Sequence, residues 1–280
     1  NQTLIQRIHA KIAGMPEGEK RAATLILDNP GELSVWSATE LANLANVSNA
    51  TISRLFKRLN YGSFEEARLE ARQLRSQGSP LYWSRPAASG QPHGEESSIR
   101  LQNEMQRIEA ALSALPQDLC ESVATRLATA ERIRLYGFRN SHFLASYFSA
   151  SLAQFRQGVA KLMPQGQTAA EGLSELGDRD VIFIVGFRRR PANFTQVVAS
   201  SVSTGACVIL LTDPSIRAIP EGVEYTIICS VESSQPLDAY GGALIILRTL
   251  ALKMAAALEN KGRRYLEKLE SLRSTLGELE

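Results

Sequence analysis

The stretch SATELANLANVSNATISRLFKRL, residues 37–59, predicts two short helices joined by a tight turn. Ser37 followed by Glu40 is a capping-box pattern, so the first helix should begin there. Asn46 can adopt the left-handed conformation that ends a helix, and Ser48 can cap the start of the second helix. The second helix repeats apolar residues at helical spacing, which predicts one buried face. The residues of this face are Ile52, Leu55, Phe56 and Leu59.

The opposite face of the second predicted helix carries small polar residues first and cations later. Short side chains let a helix approach base edges in the major groove, while Arg and Lys contact phosphates. We therefore predict a helix-turn-helix that binds double-stranded operator DNA. An ordinary helical hairpin with a solvated charged face is the alternative. The predicted DNA-binding residues are Thr39, Ser48, Asn49, Ala50, Thr51, Ser53, Arg54, Lys57 and Arg58.

Length and composition indicate a globular chain with two domains. The 280 residues carry a net charge of only +2, so any DNA-binding surface must be local. Three scattered cysteines and three histidines have no metal-ligand spacing, and we expect neither a metal nor another cofactor. The sequence shows no secretory signal pattern and no apolar span, which predicts a cytoplasmic protein without a membrane partner. The positive excess gathers at Arg54, Lys57, Arg58, Arg68, Arg72 and Arg75.

Further helical patterns surround the hairpin, and together they predict an all-α domain over residues 1–76. Asn29-Pro30-Gly31 should stop the helix before the hairpin, and Ser63 with Glu66 should cap the helix after it. Residues 4–74 resemble the amino-terminal domain of the RpiR family of bacterial transcription regulators. The matching stretches are LILDNPGEL and SATELANLANVSNATISRLFKRLNYGSFEEAR.

A second domain is predicted over residues 99–280, after a linker rich in Gly, Pro and Ser at residues 77–98. An apolar seam predicts a helix that packs against a partner helix, and its residues are Leu101, Met105, Ile108, Leu112 and Leu115. Short apolar runs then alternate with helical segments, which is typical of a parallel sheet covered on both faces. The predicted strands are residues 133–137, 159–163, 180–186, 206–212 and 225–229.

The second domain is similar to the sugar isomerase (SIS) domain that follows the DNA-binding domain in the RpiR family. This resemblance implies a flavodoxin-like α/β fold with a five-stranded parallel sheet and a pocket for a small metabolite, often a phosphorylated sugar. A ligand in such a sheet should lie at the carboxyl ends of the strands. The loop after the first strand is commonly Gly-x-Gly-x-Ser in the family, and here it is residues 137–141, GFRNS. The serine-rich phosphate loop after the third strand is replaced by residues 186–191, GFRRRP.

The arginines in these two loops predict an anionic ligand. Guanidinium forks suit carboxylate and phosphate equally well, so the effector need not be a sugar phosphate. Alternatively, the arginines pair with acidic residues across a subunit contact, or the triplet is a solvated loop. The predicted ligand-binding residues are Gly137, Arg139, Asn140, Ser141, His142, Gly186, Arg188, Arg189, Arg190 and Thr212.

These patterns predict a transcription regulator, a repressor of a catabolic operon, that is controlled by a sugar phosphate or carboxylate and self-associates as a dimer or tetramer. The alternatives are a sugar-phosphate isomerase and a regulator whose SIS domain serves only oligomerisation. An isomerase needs a positioned base, and His142, Glu171 and Glu175 are available, although no pattern ties them to that role. We therefore predict no catalytic residues.

Overall fold

A computed structural model describes residues 2–76, 78–82, 93–233 and 237–278. The chain divides into two compact units, each with its own core. The first unit comprises Asn1–Pro92 and Glu232–Asp238, and the second comprises His93–Val231 and Ala239–Glu280.

The first unit is a bundle of short helices. Its apolar residues recur at helical spacing and meet in a single core, in which Ile52, Leu55 and Phe56 are completely buried. Short 3-10 turns at Ile12–Gly14, Glu32–Ser34 and Pro80–Tyr82 connect or follow the helices. The helices are α1 (Leu4–Lys11), α2 (Glu17–Asp28), α3 (Ala38–Leu44), α4 (Asn49–Arg58) and α5 (Phe64–Ser76).

The turn between α3 and α4 confirms the capping signals in the sequence. Ser37 Oγ accepts a hydrogen bond from Glu40 N at 3.2 Å, and Ser48 Oγ accepts one from Thr51 N at 3.2 Å. Asn46 has a φ of 52°, the left-handed conformation that ends α3. The next residue, Val47, then donates its N–H to a carbonyl of α3 at 2.9 Å. The left-handed Asn46 and the Ser48 cap therefore define the end of α3 and the start of α4.

The second unit is a five-stranded parallel sheet in the order β2-β1-β3-β4-β5, flanked by helices. All five predicted strands are found, although β2 ends two residues earlier than predicted. The strands are β1 (Ile133–Gly137), β2 (Val159–Lys161), β3 (Val181–Gly186), β4 (Cys207–Thr212) and β5 (Tyr225–Ile228). The helices are α6 (His93–Ser113), α7 (Gln117–Thr129), α8 (Asn140–Ala153), α9 (Ala169–Ser174), α10 (Phe194–Ser203), α11 (Gly241–Ala257) and α12 (Glu259–Leu276).

Strands β3 and β4 are buried along their whole length because both faces of the sheet are covered. Successive side chains point to opposite faces, so Phe183 joins the core formed with α7, α8 and α11. Its neighbours Ile182 and Ile184 join the core beneath α10. This arrangement confirms the prediction of a doubly covered parallel sheet.

Helix α6 differs from the sequence prediction in its start and in its buried face. It begins at His93, inside the range predicted as linker, and it ends before Leu115. Leu101 and Met105, predicted to lie in a packing seam, are 62% and 59% exposed. The reason is the amino end of α11, where a Cβ on Gly242 would lie 2.8 Å from the Cβ of Ala111. This close approach turns a different face of α6 inward.

Two other predictions, the extent of the linker and the absence of a membrane span, can be compared with the structure. Tyr82, placed in the linker, is 2% exposed in the core of the first unit, while the neighbouring Trp83 lies outside the described residues. Within the described ranges, no single helix is long and apolar enough to cross a membrane, and α11 and α12, which pass only as a pair, are bent by 104°.

Candidate functional site

Helix α4 presents the predicted DNA-binding face to solvent. Its buried residues point into the core, so the other side carries Asn49, Ser53, Arg54 and Lys57 in exposed positions. Thr51 is partly buried, and its hydroxyl lies 3.0 Å from Ser48 Oγ and accepts a hydrogen bond from Arg54 at 3.2 Å. The remaining predicted residues, Thr39, Ser48, Ala50 and Arg58, are also exposed. The face is therefore polar, cationic and partly ordered by its own contacts.

Arg58 differs from the other cations on α4 because it pairs with a buried carboxylate. Its Nε lies 2.6 Å from Glu19 Oε2, and the Glu19 side chain is only 4% exposed. A buried carboxylate is stable only when it is paired, so Arg58 contributes to the packing of α2 against α4. The sequence reasoning missed this role, since no local pattern connects residues 39 positions apart.

The carboxyl ends of α3 and α4 are held by cations from neighbouring helices. Arg7 donates hydrogen bonds to Leu59 O at 3.1 Å and Asn60 O at 3.0 Å. Its guanidinium also lies 4.3 Å from the ring centroid of Tyr61. At the end of α3, Arg21 donates to Asn46 O at 2.9 Å. Carbonyls at a helix end lack intrahelical donors and carry partial negative charge, so these cations stabilise the orientation of both helices.

Three cations of the predicted positive cluster lie on α5, and each binds a group of the first unit. Arg72 donates to Ser34 O at 2.8 Å, and Arg75 donates to Ser34 Oγ at 3.0 Å. Arg68 pairs with Glu65 on its own helix at 2.8 Å. Each of these three cations therefore binds a group of the first unit, although Arg72 and Arg75 remain exposed.

In the second unit, the connections of the sheet change direction between β1 and β3, and we call the region at the carboxyl ends of these two strands the crevice. The chain leaves β1 toward β2 and leaves β3 toward β4, so the two connections diverge at this point. The loops after β1 and β3 are joined by a hydrogen bond of 3.3 Å from Phe187 N to Ser141 Oγ. Gly137 is required because a Cβ there would lie 2.3 Å from the carbonyl oxygen of Ser141. The structure thus brings the two predicted ligand loops together.

Arg190 lies inside the loop that follows β3, where it binds protein groups. Its Nε donates to Gly186 O at 2.7 Å, and its Nη2 donates to Thr212 Oγ1 at 2.7 Å. It also forms an ion pair with Asp213, and the two side chains are 14% and 4% exposed. Burial lowers the pKa of Arg190, which the charge of Asp213 opposes. The pair fastens the loop to the end of β4.

The other predicted ligand residues occupy varied environments. Arg139 and Arg189 are exposed and have φ values of 51° and 61°. Arg188 is half-buried. Asn140 Nδ2 donates to Tyr240 Oη at 3.3 Å, which connects the crevice to the start of α11. The crevice thus has exposed cations at its edge and amide and phenol groups beside them.

The predicted hydroxyl ligands are less accessible than the cations. Thr212 is completely buried, and its hydroxyl donates to Gly186 O at 2.8 Å while accepting from Arg190. Ser141 is only 6% exposed. These two residues therefore support the loops from beneath. Sequence reasoning missed this because both residues stand at strand ends, where ligand contacts and buried support have the same pattern.

The candidate bases for an isomerase are engaged in different elements. His142 is exposed on α8, with Nε2 3.4 Å from Ser146 Oγ. Glu171 accepts hydrogen bonds from the Thr168 hydroxyl and, at 2.9 Å, from Thr168 N, and these bonds lower the pKa of its carboxyl. Glu171 thereby caps α9. Glu175 pairs with Arg134 at 3.1 Å. Both carboxylates thus have structural contacts.

Comparison with known proteins gives matches for both units. Residues 2–78 match the helix-turn-helix domain of the rpiR family, and residues 126–258 match the SIS domain. The chain is 22% identical to the HTH-type transcriptional regulator HexR of Pseudomonas aeruginosa over 216 residues, which are 75% of this chain and 73% of that protein.

Solved structures show the same fold. The Vibrio vulnificus NanR protein, complexed with ManNAc-6P, matches 98% of this chain and 99% of its own with a TM-score of 0.57 at 17% identity. The sugar isomerase domain of an RpiR transcription factor from Sphaerobacter thermophilus matches 61% of this chain and 96% of its own, with a TM-score of 0.55 at 16% identity. The chain therefore consists of an rpiR-family helix-turn-helix domain followed by a SIS domain.

Proposed function

We propose that the protein is a DNA-binding transcription regulator, a repressor of a catabolic operon, whose affinity for operator DNA changes when a small anionic metabolite binds in the SIS crevice. The observation that carries the proposal is the exposed face of α4, with small polar side chains at its start and Arg54 and Lys57 further along. The named relative HexR is a transcriptional regulator, which supports this function.

The chemistry of α4 suits the major groove. Asn49 and Ser53 present hydrogen-bonding groups that can read base edges, and Arg54 and Lys57 are placed to contact phosphates. The helix is held rigidly because Arg7 and Lys11 donate to carbonyls at its carboxyl end. A rigid reading helix loses little conformational entropy on binding, which favours affinity.

The crevice suits an anion because its edge carries exposed guanidinium groups. The effector would be a sugar phosphate or a carboxylate. The NanR structure contains ManNAc-6P, a sugar phosphate, which supports the first of these classes. Effector control requires the ligand to favour one of two arrangements of the protein, so the affinities for effector and operator should change reciprocally.

Two reading helices on one operator require self-association as a dimer or tetramer. Half-sites for a two-fold dimer lie about 34 Å apart or a multiple of that distance. Apolar side chains exposed on α6 and α12, such as Met105 at 59% and Leu276 at 67%, support a contact between copies.

The DNA-binding part of the proposal is tested with the purified chain and the DNA fragment upstream of its own coding sequence. Fluorescence anisotropy at several salt concentrations should show binding that weakens with salt. Arg54→Ala and Lys57→Ala should each weaken binding and lower the salt slope by about one unit, since each removes one phosphate contact. Asn49→Ala should instead change which sequence is preferred.

Arg179→Ala is the matched control, because Arg179 has a 74% exposed side chain and lies outside α4, α6 and α12. It should leave both affinity and salt slope unchanged. The proposal is wrong if the chain ignores double-stranded DNA at low ionic strength, or if Arg54→Ala and Lys57→Ala bind as the unchanged protein does. Effector control is wrong if neither sugar phosphates nor carboxylates alter the affinity for the fragment.

A further inference from the structure

Positive charge is concentrated at the carboxyl ends of the central strands. Residues 137–142, 186–191 and 212–217 contain five arginines and one aspartate, whereas the whole chain has a net charge of only +2. A cleft edge with an excess of one sign raises the local concentration of oppositely charged ligands. The charge pattern therefore points to an anion-binding site at the carboxyl ends of these strands.

The arginines do not contribute equally. Arg190 uses its Nε on Gly186 O and its two terminal nitrogens on Thr212, Asp213 and Ser215. Its charge is balanced by the buried carboxylate of Asp213. The space between the ends of β3 and β4 is thus occupied by a cation and an anion of the protein. A ligand anion must therefore bind outside this pair.

Arg139 and Arg189 lie outside the pair, one on each loop of the crevice. Both are exposed, and the two loops follow neighbouring strands and are joined through Ser141 and Phe187. Their φ values of 51° and 61° lie in the left-handed region, which is costly for any residue with a Cβ. Glycine adopts this region without that cost. Each loop therefore keeps an arginine at a position where glycine would be more stable.

A single exposed guanidinium binds an anion weakly, because water screens the charge. Two guanidinium groups on adjacent loops can act on the same ligand if that ligand carries two negative charges. Phosphate monoesters and short dicarboxylates have this property, and both match the planar fork of arginine.

We propose that the crevice binds a dianion at its rim through Arg139 and Arg189, and that Arg190 with Asp213 only positions the loop carrying Arg189. The inference rests on the proposed function, in which this ligand is the effector. It adds the charge of the ligand and the two residues that select it.

The test is calorimetric titration of the full chain at low salt with inorganic phosphate, malonate, acetate and glucose. Phosphate, malonate or both should bind, while acetate should bind at least about tenfold more weakly and glucose not at all. Binding of phosphate alone indicates a phosphate monoester, and binding of malonate alone indicates a dicarboxylate; either result supports the proposal.

Two variants separate ligand binding from stability. Arg139→Gly and Arg189→Gly should each weaken dianion binding about tenfold and should raise the melting temperature of the ligand-free chain, because backbone strain is relieved. Arg139→Lys keeps the charge and should retain part of the affinity. Arg179→Ala is the control. Arg179 has a 74% exposed side chain and precedes β3, so it lies at the amino ends of the strands, away from the crevice. It should leave the affinity unchanged.

The proposal is overturned if neither dianion binds the unchanged chain, if acetate binds as tightly as malonate, or if both glycine variants keep full affinity. These outcomes are distinct from failure of the proposed function. A chain that binds operator DNA and responds to a metabolite, but keeps its anion affinity in both glycine variants, contradicts only this inference. A chain that binds phosphate through Arg139 but ignores DNA contradicts only the regulator.

Discussion

The helix-turn-helix unit and the crevice of the SIS domain each contain an arginine paired with a buried carboxylate, but the two pairs differ in exposure. In the first unit Arg58 is 44% exposed and its partner Glu19 is 4% exposed. In the crevice Arg190 is 14% exposed and its partner Asp213 is 4% exposed. Water can partly replace Arg58 at its carboxylate, whereas it cannot reach Asp213 as easily. The difference indicates that loss of the arginine should destabilise the crevice more than the DNA-binding unit.

The exposed cations of the two regions also differ in their backbone. Arg54 and Lys57 lie within the regular helix α4, so the DNA-binding face needs no strained residue. Arg139 and Arg189 lie in loops with positive φ, at a cost of about 1–3 kcal/mol each. Strain of this size is kept only where the surrounding structure holds it, and it commonly marks a binding site. The crevice therefore positions its two arginines at a cost in stability, whereas α4 positions its cations without that cost.

Replacing Arg190 should give the largest effect. Arg190→Ala leaves the Asp213 carboxylate buried beside Thr212 without its cation, which should destabilise the SIS domain by about 3–5 kcal/mol. Urea unfolding followed by circular dichroism measures this change.

The double variant Arg190→Met with Asp213→Asn is the control for lost charge compensation. It should recover much of the stability, since no uncompensated charge remains. If Arg190→Ala is as stable as the unchanged chain, the pair does not hold the loop, and the contrast with Arg58 is wrong.

Alkaline pH should destabilise the two units over different pH ranges, because their buried acids ionise at different pH in the unfolded chain. Burial raises the pKa of the Cys207 thiol to about 12 and that of the Cys229 thiol to about 11, from an ordinary value of 9.0. In the first unit, burial raises the pKa of Tyr82 to about 12 from 10.0. Each group stays neutral in the folded state while it ionises in the unfolded chain, so stability is complete below the ordinary pKa and falls as pH rises above it.

The SIS domain should thus begin to lose stability near pH 9 and the helix-turn-helix unit near pH 10. Together the two thiols should lower the free energy of unfolding by about 3 kcal/mol at pH 10. Thermal melts between pH 8 and pH 10.5 measure the loss. Cys207→Ala and Cys229→Ala should flatten the dependence between pH 9 and pH 10, whereas Tyr82→Phe should change it only above pH 10. Equal pH dependence in all three variants would contradict the assignment.

The elements of both units were predictable because their signals are local. Caps such as Ser37 with Glu40 act over three residues, and the apolar runs of β3 and β4 predict buried strands directly. The buried face of α6 was not predictable, since it depends on Gly242, which comes more than a hundred residues after the helix.

The roles of individual arginines were also beyond local reasoning. In sequence, Arg190 and its two neighbours form one cationic triplet, and Arg58 belongs to one cationic face with Arg54 and Lys57. The buried partners that distinguish them lie 23 and 39 positions away. Charge runs therefore predict that a region is cationic, while tertiary contacts decide which cation is exposed to a ligand.

The smallest of the three stability effects should come from Arg58. Arg58→Ala leaves Glu19 without its guanidinium partner, but nearby water can partly solvate the site, so the first unit should lose only about 1–2 kcal/mol. Arg54→Ala is the matched control from the same helix, and it should change stability by less than about 0.5 kcal/mol because its guanidinium is exposed. Denaturant unfolding compares both variants with Arg190→Ala. A loss for Arg58→Ala as large as that for Arg190→Ala would show that exposure of the arginine does not determine the cost, and that burial of the carboxylate alone does.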